Sequence, residues 1–215
     1  MGIVKQQSIK GSLVTYLGVI IGAFNVFFVF PYFLPPETIG LLKSIEATGL
    51  LVVPFIYLGI PYAINKYYPI LKEKHPEKFR TLLSKSFLFL ISNTLILSLL
   101  FFLFKAQIAN LFIRKSPLLS EWILIAIPVF IGMSWMIVFS AVAASNLRIA
   151  FPKLLERVVL RLLHILVILL FSMAVLSESQ LIILFGFTYA IPSFIIFFVC
   201  CKKKLFTPSK ISFFL

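Results

Sequence analysis

The sequence predicts an all-α integral membrane protein, and three observations carry that reading. Of the 215 residues, 61% are hydrophobic and only 13% are charged, with a mean hydropathy of +1.09. A soluble domain carries roughly 25% charged residues to build its polar shell. The charges that exist are clustered, and the apolar runs between them approach the roughly 20 residues needed to cross a bilayer core. Runs such as "LVTYLGVIIGAFNVFFVFPYF" (13–33) do not alternate polar and apolar positions, as the strands of a membrane barrel would.

Six spans are expected, over 12–34, 41–64, 86–104, 119–142, 155–176 and 180–200. They make one domain, 1–200, followed by a basic cytoplasmic tail, 201–215. The first run exceeds the h-region of a cleaved signal and reads as an uncleaved span. Pro35 and Pro36 cannot continue its helix. Thr38 then suits a cap and Glu37 the positive end of the second span, with Gly40 allowing close contact just inside it. Gly59 and Pro61 are expected to bend that span's far end. The connection 65–85 alternates Tyr67, Tyr68, Ile70, Leu71 and Phe79 with lysines and glutamates, and is placed in the lipid headgroup layer, with His75 exposed. Residues 105–117, 143–153 and 177–179 supply the remaining breaks. Cys200 and Cys201 are adjacent, fit no metal-site spacing, and read as lipid-facing filler.

Orientation follows from the basic residues. With the N-terminus inside, sixteen of the twenty Lys/Arg fall on the inner side and four, Lys43, Lys105, Arg114 and Lys115, on the outer. That split puts both termini in the cytoplasm and argues against a dual-topology transporter. The net charge of +13 is therefore read as orientation, and no nucleic-acid partner is expected.

Polar residues inside the spans are the candidates for function. Lys43 and Glu46 lie three residues apart on one helical face, with Glu46 roughly 9 Å along the axis from Gly40. They either line a polar cavity or form an intramembrane ion pair that steadies packing. Asn25 and Asn93 lie mid-span, as interhelical glue or as cavity residues. In "KLLERVVLRLLHILVILL", Lys153, Arg157, Arg161 and His164 follow i, i+4, i+8, i+11, and Glu156 stands beside them. Such a stripe suits an anion, for example a lipid-linked pyrophosphate, or else it anchors the helix with its basic ends snorkelling. There is no Walker sequence, no HExxH, no G-x-S-x-G and no aspartate at all. No enzyme, cofactor or metal site is expected.

The stretch 8–85 resembles the N-terminal region of bacterial polysaccharide transporters, the O-antigen/oligosaccharide flippases of the multidrug/oligosaccharidyl-lipid/polysaccharide exporter superfamily. The likeness rests on the polar lead into the first span, the turn with Pro36, Glu37, Gly40 and Leu41, the "LGIP" end of the second span, and the basic loop after it. "FPKLLERVVLRLLHIL" is similar to the family's entry into its fifth helix, with Glu156 and Arg157 as the acidic–basic pair. The resemblance implies two six-helix lobes around a cavity that opens alternately to each side. Through it an undecaprenyl-pyrophosphate-linked oligosaccharide would move across a bacterial inner membrane. It also implies that Lys43, Arg148, Arg157 and Arg161 hold the pyrophosphate. Family chains are about twice as long. This one is therefore expected to be either a truncated product or one lobe that pairs with a second lobe or a further copy. The alternatives are a non-transporting membrane scaffold or remnant, and a drug/cation antiporter of the same superfamily.

Overall fold

The computed structural model describes residues 3–74, 76–112, 116–145 and 150–202, and among these every regular element is helical. Among the described residues five helices are long and apolar enough to cross a membrane: Gln6–Phe33, Pro36–Tyr57, Glu77–Leu103, Pro117–Ser145 and Glu178–Cys200. This is the make-up of a multi-pass membrane protein. In chain order, α1 runs over 3–33 with a π turn at Asn25–Val29, α2 is Pro36–Tyr57, α3 is Ile60–Lys74, and α4 is Pro76–Leu103. The short α5 is Lys105–Phe112. A helix over 117–145, with a 3-10 turn at Ile123–Ile125, is α6. Next come α7, over 150–172 with a π turn at Leu155–Val159, then α8, Glu178–Phe187, and α9, Ala190–Lys202. The region of the expected fifth span is helical, as α7. Every stretch of α7 long enough to be read as a crossing contains Glu156, Arg157 and Arg161, so composition alone does not make it a sixth.

The second expected span is corrected at both ends. Leu34 and Pro35 are extended, and α2 starts at Pro36, whose missing N–H costs nothing in a first turn. Thr38 is not the cap. It lies inside α2, buried, and its hydroxyl donates to Glu178 Oε1 at 2.7 Å, tying the start of α2 to the start of α8. At the other end, Leu58 and Gly59 take φ of 34° and 81°, and the helix restarts at Ile60. Asn93 of α4 serves this break: its Nδ2 donates to the carbonyls of Phe55 (2.8 Å) and Ile56 (3.0 Å), whose helical donors are lost there. The connection expected over 65–85 is largely helical, since α3 extends to Lys74 and α4 begins at Pro76. Ile60 and Ile64 of α3 are buried against α6, and the Tyr68 ring meets Phe79 edge-on, 5.1 Å between centroids. His75 and 203–215 of the expected tail lie outside the described residues.

The centre of the bundle is α6, which packs against α2, α3, α4, α8 and α9, while α1 lies along α7. Helices in lipid gain nothing from expelling water between them, so close backbone approach over small residues must supply the attraction. Three glycines provide it. A Cβ on Gly49 would come within 2.8 Å of Val129, one on Gly186 within 2.5 Å of Ile125, and one on Gly132 within 2.6 Å of the Tyr189 backbone. Around them Phe87, Trp135, Phe139 and Phe197 form an aromatic cluster, and the Trp135 indole donates to Thr94 Oγ1 at 3.0 Å. Cys200, expected to face lipid, is buried in this core at 1% exposure.

These contacts set an ordered pair of outcomes. Gly132→Ala, which drives a methyl into backbone, is expected to destabilise the detergent-solubilised protein by about 1–3 kcal/mol. Gly40→Ala, whose new Cβ meets nothing within 4 Å, is expected to be neutral or slightly stabilising. Thermal unfolding monitored by circular dichroism checks both.

Candidate functional site

Because α2 starts at Pro36, Glu46 is ten residues into it, roughly 15 Å along the axis and near the middle of a bilayer core of about 30 Å. Arg161 is eleven residues into α7, roughly 16 Å from the opposite end. The two meet. Lys43 Nζ donates to Glu46 Oε2 at 2.8 Å, Tyr189 Oη donates to Oε1 at 2.8 Å, and Arg161 Nη1 stands 3.9 Å from that same oxygen. The Lys43 ammonium also lies over the Phe30 ring, 5.2 Å from its centroid. One carboxylate thus gathers side chains from α2, α7 and the α8–α9 junction.

Local sequence explains each placement. The α8–α9 helix breaks at Thr188 and Tyr189 because Pro192 removes a backbone donor, and the Thr188 hydroxyl turns back to the Phe185 carbonyl at 2.6 Å. Gly132 lets α6 press on the Tyr189 backbone and aim its ring at Glu46. Gly18 and Gly22 form a small-xxx-small pair on α1, so α7 approaches closely. A Cβ on Gly18 would fall 2.5 Å from the Arg157 Cβ and 2.8 Å from its carbonyl oxygen. Both π turns lie in this same α1–α7 interface. Such turns, each with one residue more than an α turn, recur at functional sites.

Between α1, α2 and α7 a half-open groove of about 360 Å³ remains. Its walls are Gly18, Val19, Gly22, Ala23, Val26 and Phe27 of α1, with Lys43, Arg157 and Arg161 as its charged members. Three cations face one cleft in an apolar bundle. Arg157 also has Glu156 beside it, Nε to Oε1 at 3.4 Å.

The sequence candidates separate into two layers. Lys43, Arg157 and Arg161 line the groove. Glu46 lies behind it, its side chain 19% exposed against 37% for Lys43. His164 and Asn25 do not line it. The regular spacing does not hold along α7, because the π turn at Leu155–Val159 has one residue more than an α turn. His164 is fully buried, stacked on Phe185 at 4.2 Å and 5.4 Å from the Tyr189 ring. Asn25 opens the π turn of α1, 1% exposed, and neither its amide nor the His164 ring has a hydrogen-bond partner among the described residues. Arg148 lies outside the described residues, and Asn93 serves the α2 break.

Sequence reasoning missed Tyr189, Gly18 and Gly22. Signals existed for all three. A tyrosine far inside an apolar run is out of place, since its ring favours the interface, and "GVIIG" (18–22) is a helix-association pattern.

No protein family, curated protein or solved structure matches this chain. The class that the geometry itself defines is a helical membrane protein with a cationic groove backed by a half-buried carboxylate.

Two substitutions probe this construction. Gly18→Leu is expected to force α1 off α7 and to lower the unfolding temperature, whereas Val19→Leu, at the same depth on an exposed position, leaves it unchanged. Tyr189→Phe removes one hydrogen bond to Glu46 and is expected to cost about 1 kcal/mol. Both are read by thermal unfolding in detergent.

Proposed function

We propose that this chain forms a lobe of a flippase for lipid-linked oligosaccharide, with the α1–α2–α7 groove holding the ligand's diphosphate. The observation that carries the reading is the convergence of Lys43, Arg157 and Arg161 on one half-open cleft of an apolar bundle. A charged side chain at mid-helix costs on the order of 2.5–3.5 kcal/mol on insertion scales and usually faces a partner or a wet cavity. Two arginines offer planar forks matched to phosphate oxygens, and a lysine adds a compact point charge. The groove volume of about 360 Å³ lies at the small end for ligand sites, enough for a charged headgroup but not a glycan. The sugars would need a second wall, which a further lobe or copy would supply in an alternating-access cycle.

In this reading α7 is a sixth crossing, its charges tolerated because they face α1 and the groove. In the same reading the membrane is a bacterial inner membrane, and the excess of Lys/Arg at the Gly59 end supports a cytoplasmic side for that end and for both termini. The resemblance of the "PPETIGL" turn and of "FPKLLERVVLRLLHIL" to polysaccharide transporters supports the same assignment. A cation antiporter fits less well, since Glu46, the acidic residue at mid-depth, is already held by Lys43 and Tyr189. One observation favours a scaffold instead: Lys43 and Arg157 each have an acidic neighbour, as packing alone would require.

The triple variant K43Q/R157Q/R161Q separates the two. In a host whose surface glycan depends on this gene, it is expected to abolish surface glycan while membrane insertion and abundance stay normal. Unchanged glycan at normal abundance would leave the scaffold reading standing.

A further inference from the structure

The groove does not present three free cations. Lys43 Nζ is 2.8 Å from one oxygen of Glu46, and Arg161 stands 3.9 Å from the other. Glu46 is not itself a wall of the groove. It approaches from behind, fixed by the Tyr189 hydroxyl at 2.8 Å, and Tyr189 is fixed in turn by backbone contact with Gly132. With Glu156 beside Arg157, three cations face two carboxylates, leaving one net positive formal charge. Among the described residues, no other acidic side chain pairs with these cations.

From this arrangement we infer that Glu46 is a resident counter-anion that exchanges with the bound anion for Lys43. The inference rests on the proposed anion groove and assigns a role to a residue outside its walls. When the groove is empty, the carboxylate takes the Lys43 charge. When a phosphate-class anion enters, the ammonium, the most exposed member of the pair, turns from Glu46 towards it. Glu46 then keeps Tyr189 and Arg161, so it is not left without a partner in the apolar interior, where an unpaired charge is expensive. Re-forming the 2.8 Å pair drives the anion out again. Such competition lowers the net affinity for the anion, which suits a carrier that must release what it binds.

The exchange has a signature that simple charge repulsion lacks. If Lys43 is matched by Glu46 beforehand, removing Lys43 costs little anion affinity in the native protein. It costs far more once Glu46 is gone. If the charges act independently, the loss is the same in both backgrounds. The test is a double-mutant cycle on the full chain, purified in detergent and titrated with inorganic pyrophosphate by calorimetry at fixed ionic strength. The variants are K43Q, E46Q and K43Q/E46Q. The E46Q change keeps a side-chain oxygen for the Tyr189 hydroxyl and nearly the same shape.

The expected result is that E46Q tightens pyrophosphate binding. K43Q should then weaken it by about tenfold in the E46Q background and by less than about threefold in the native one, a difference on the scale of a single charged contact. Equal losses in both backgrounds, or no tightening in E46Q, overturn the inference while leaving the groove assignment intact. No saturable pyrophosphate binding in either the native protein or E46Q overturns the groove assignment and this inference together. If E46Q does not yield a monodisperse protein, Glu46→Asp replaces it. Its carboxylate is retracted by one methylene, so the K43Q loss must rise above its native value, and an unchanged loss counts against the exchange.

Discussion

The arrangement depends on one requirement: the Glu46 carboxylate, near the middle of the bundle, must be compensated. Lys43 and Tyr189 bind it directly and Arg161 stands within ion-pair reach. Each compensating group imposes a structural demand of its own. Lys43 is supplied one turn earlier on the same helix, so it follows from α2 alone. Arg161 requires α7 to lie with its charged face inward, which the Gly18 contact permits. Tyr189 requires a broken helix between α8 and α9 and a glycine on α6 opposite it. One acidic side chain thereby ties together α2, α7 and the α8–α9 junction.

Packing elsewhere obeys a complementary rule. Where polar groups are few, glycine sets the distance between helices, as where α6 meets α2, α8 and the α8–α9 junction, and Gly18 does the same between α1 and α7. Aromatic rings fill the wider gaps, as around Phe87 and Trp135. The polar contacts that remain repair the backbone. Asn93 is the clearest case, spanning from α4 to two carbonyls that the end of α2 leaves open.

Much of this was legible in the residues. The helical membrane class, the stop at Pro35–Pro36 and the bend near Gly59 all follow from local chemistry, and the ion pair of Lys43 with Glu46 was one of the two arrangements their spacing allowed. What escaped depends on rotation about a helix axis and on partners distant in sequence. His164 belongs to a regular stripe on paper, yet the π turn at Leu155–Val159 breaks that spacing, and the ring lies in the core against Phe185. Thr38 has the chemistry of a cap, but Glu178, 140 residues away, claims its hydroxyl. Tyr189 and Glu46 are separated by 143 residues, a proximity that no spacing rule encodes. The length of α4 escaped for another reason: charged residues of its first turns read as a loop, although they continue one helix from Pro76.

The Thr38–Glu178 bond has a mechanical consequence. It clasps the beginnings of α2 and α8 at one margin of the bundle, whereas at the opposite margin α2 is interrupted by the left-handed pair Leu58 and Gly59. A structure buttoned along one edge and notched along the other flexes unevenly. Bending of α2 is therefore expected at the Leu58–Gly59 break and not at the clasped start of the helix.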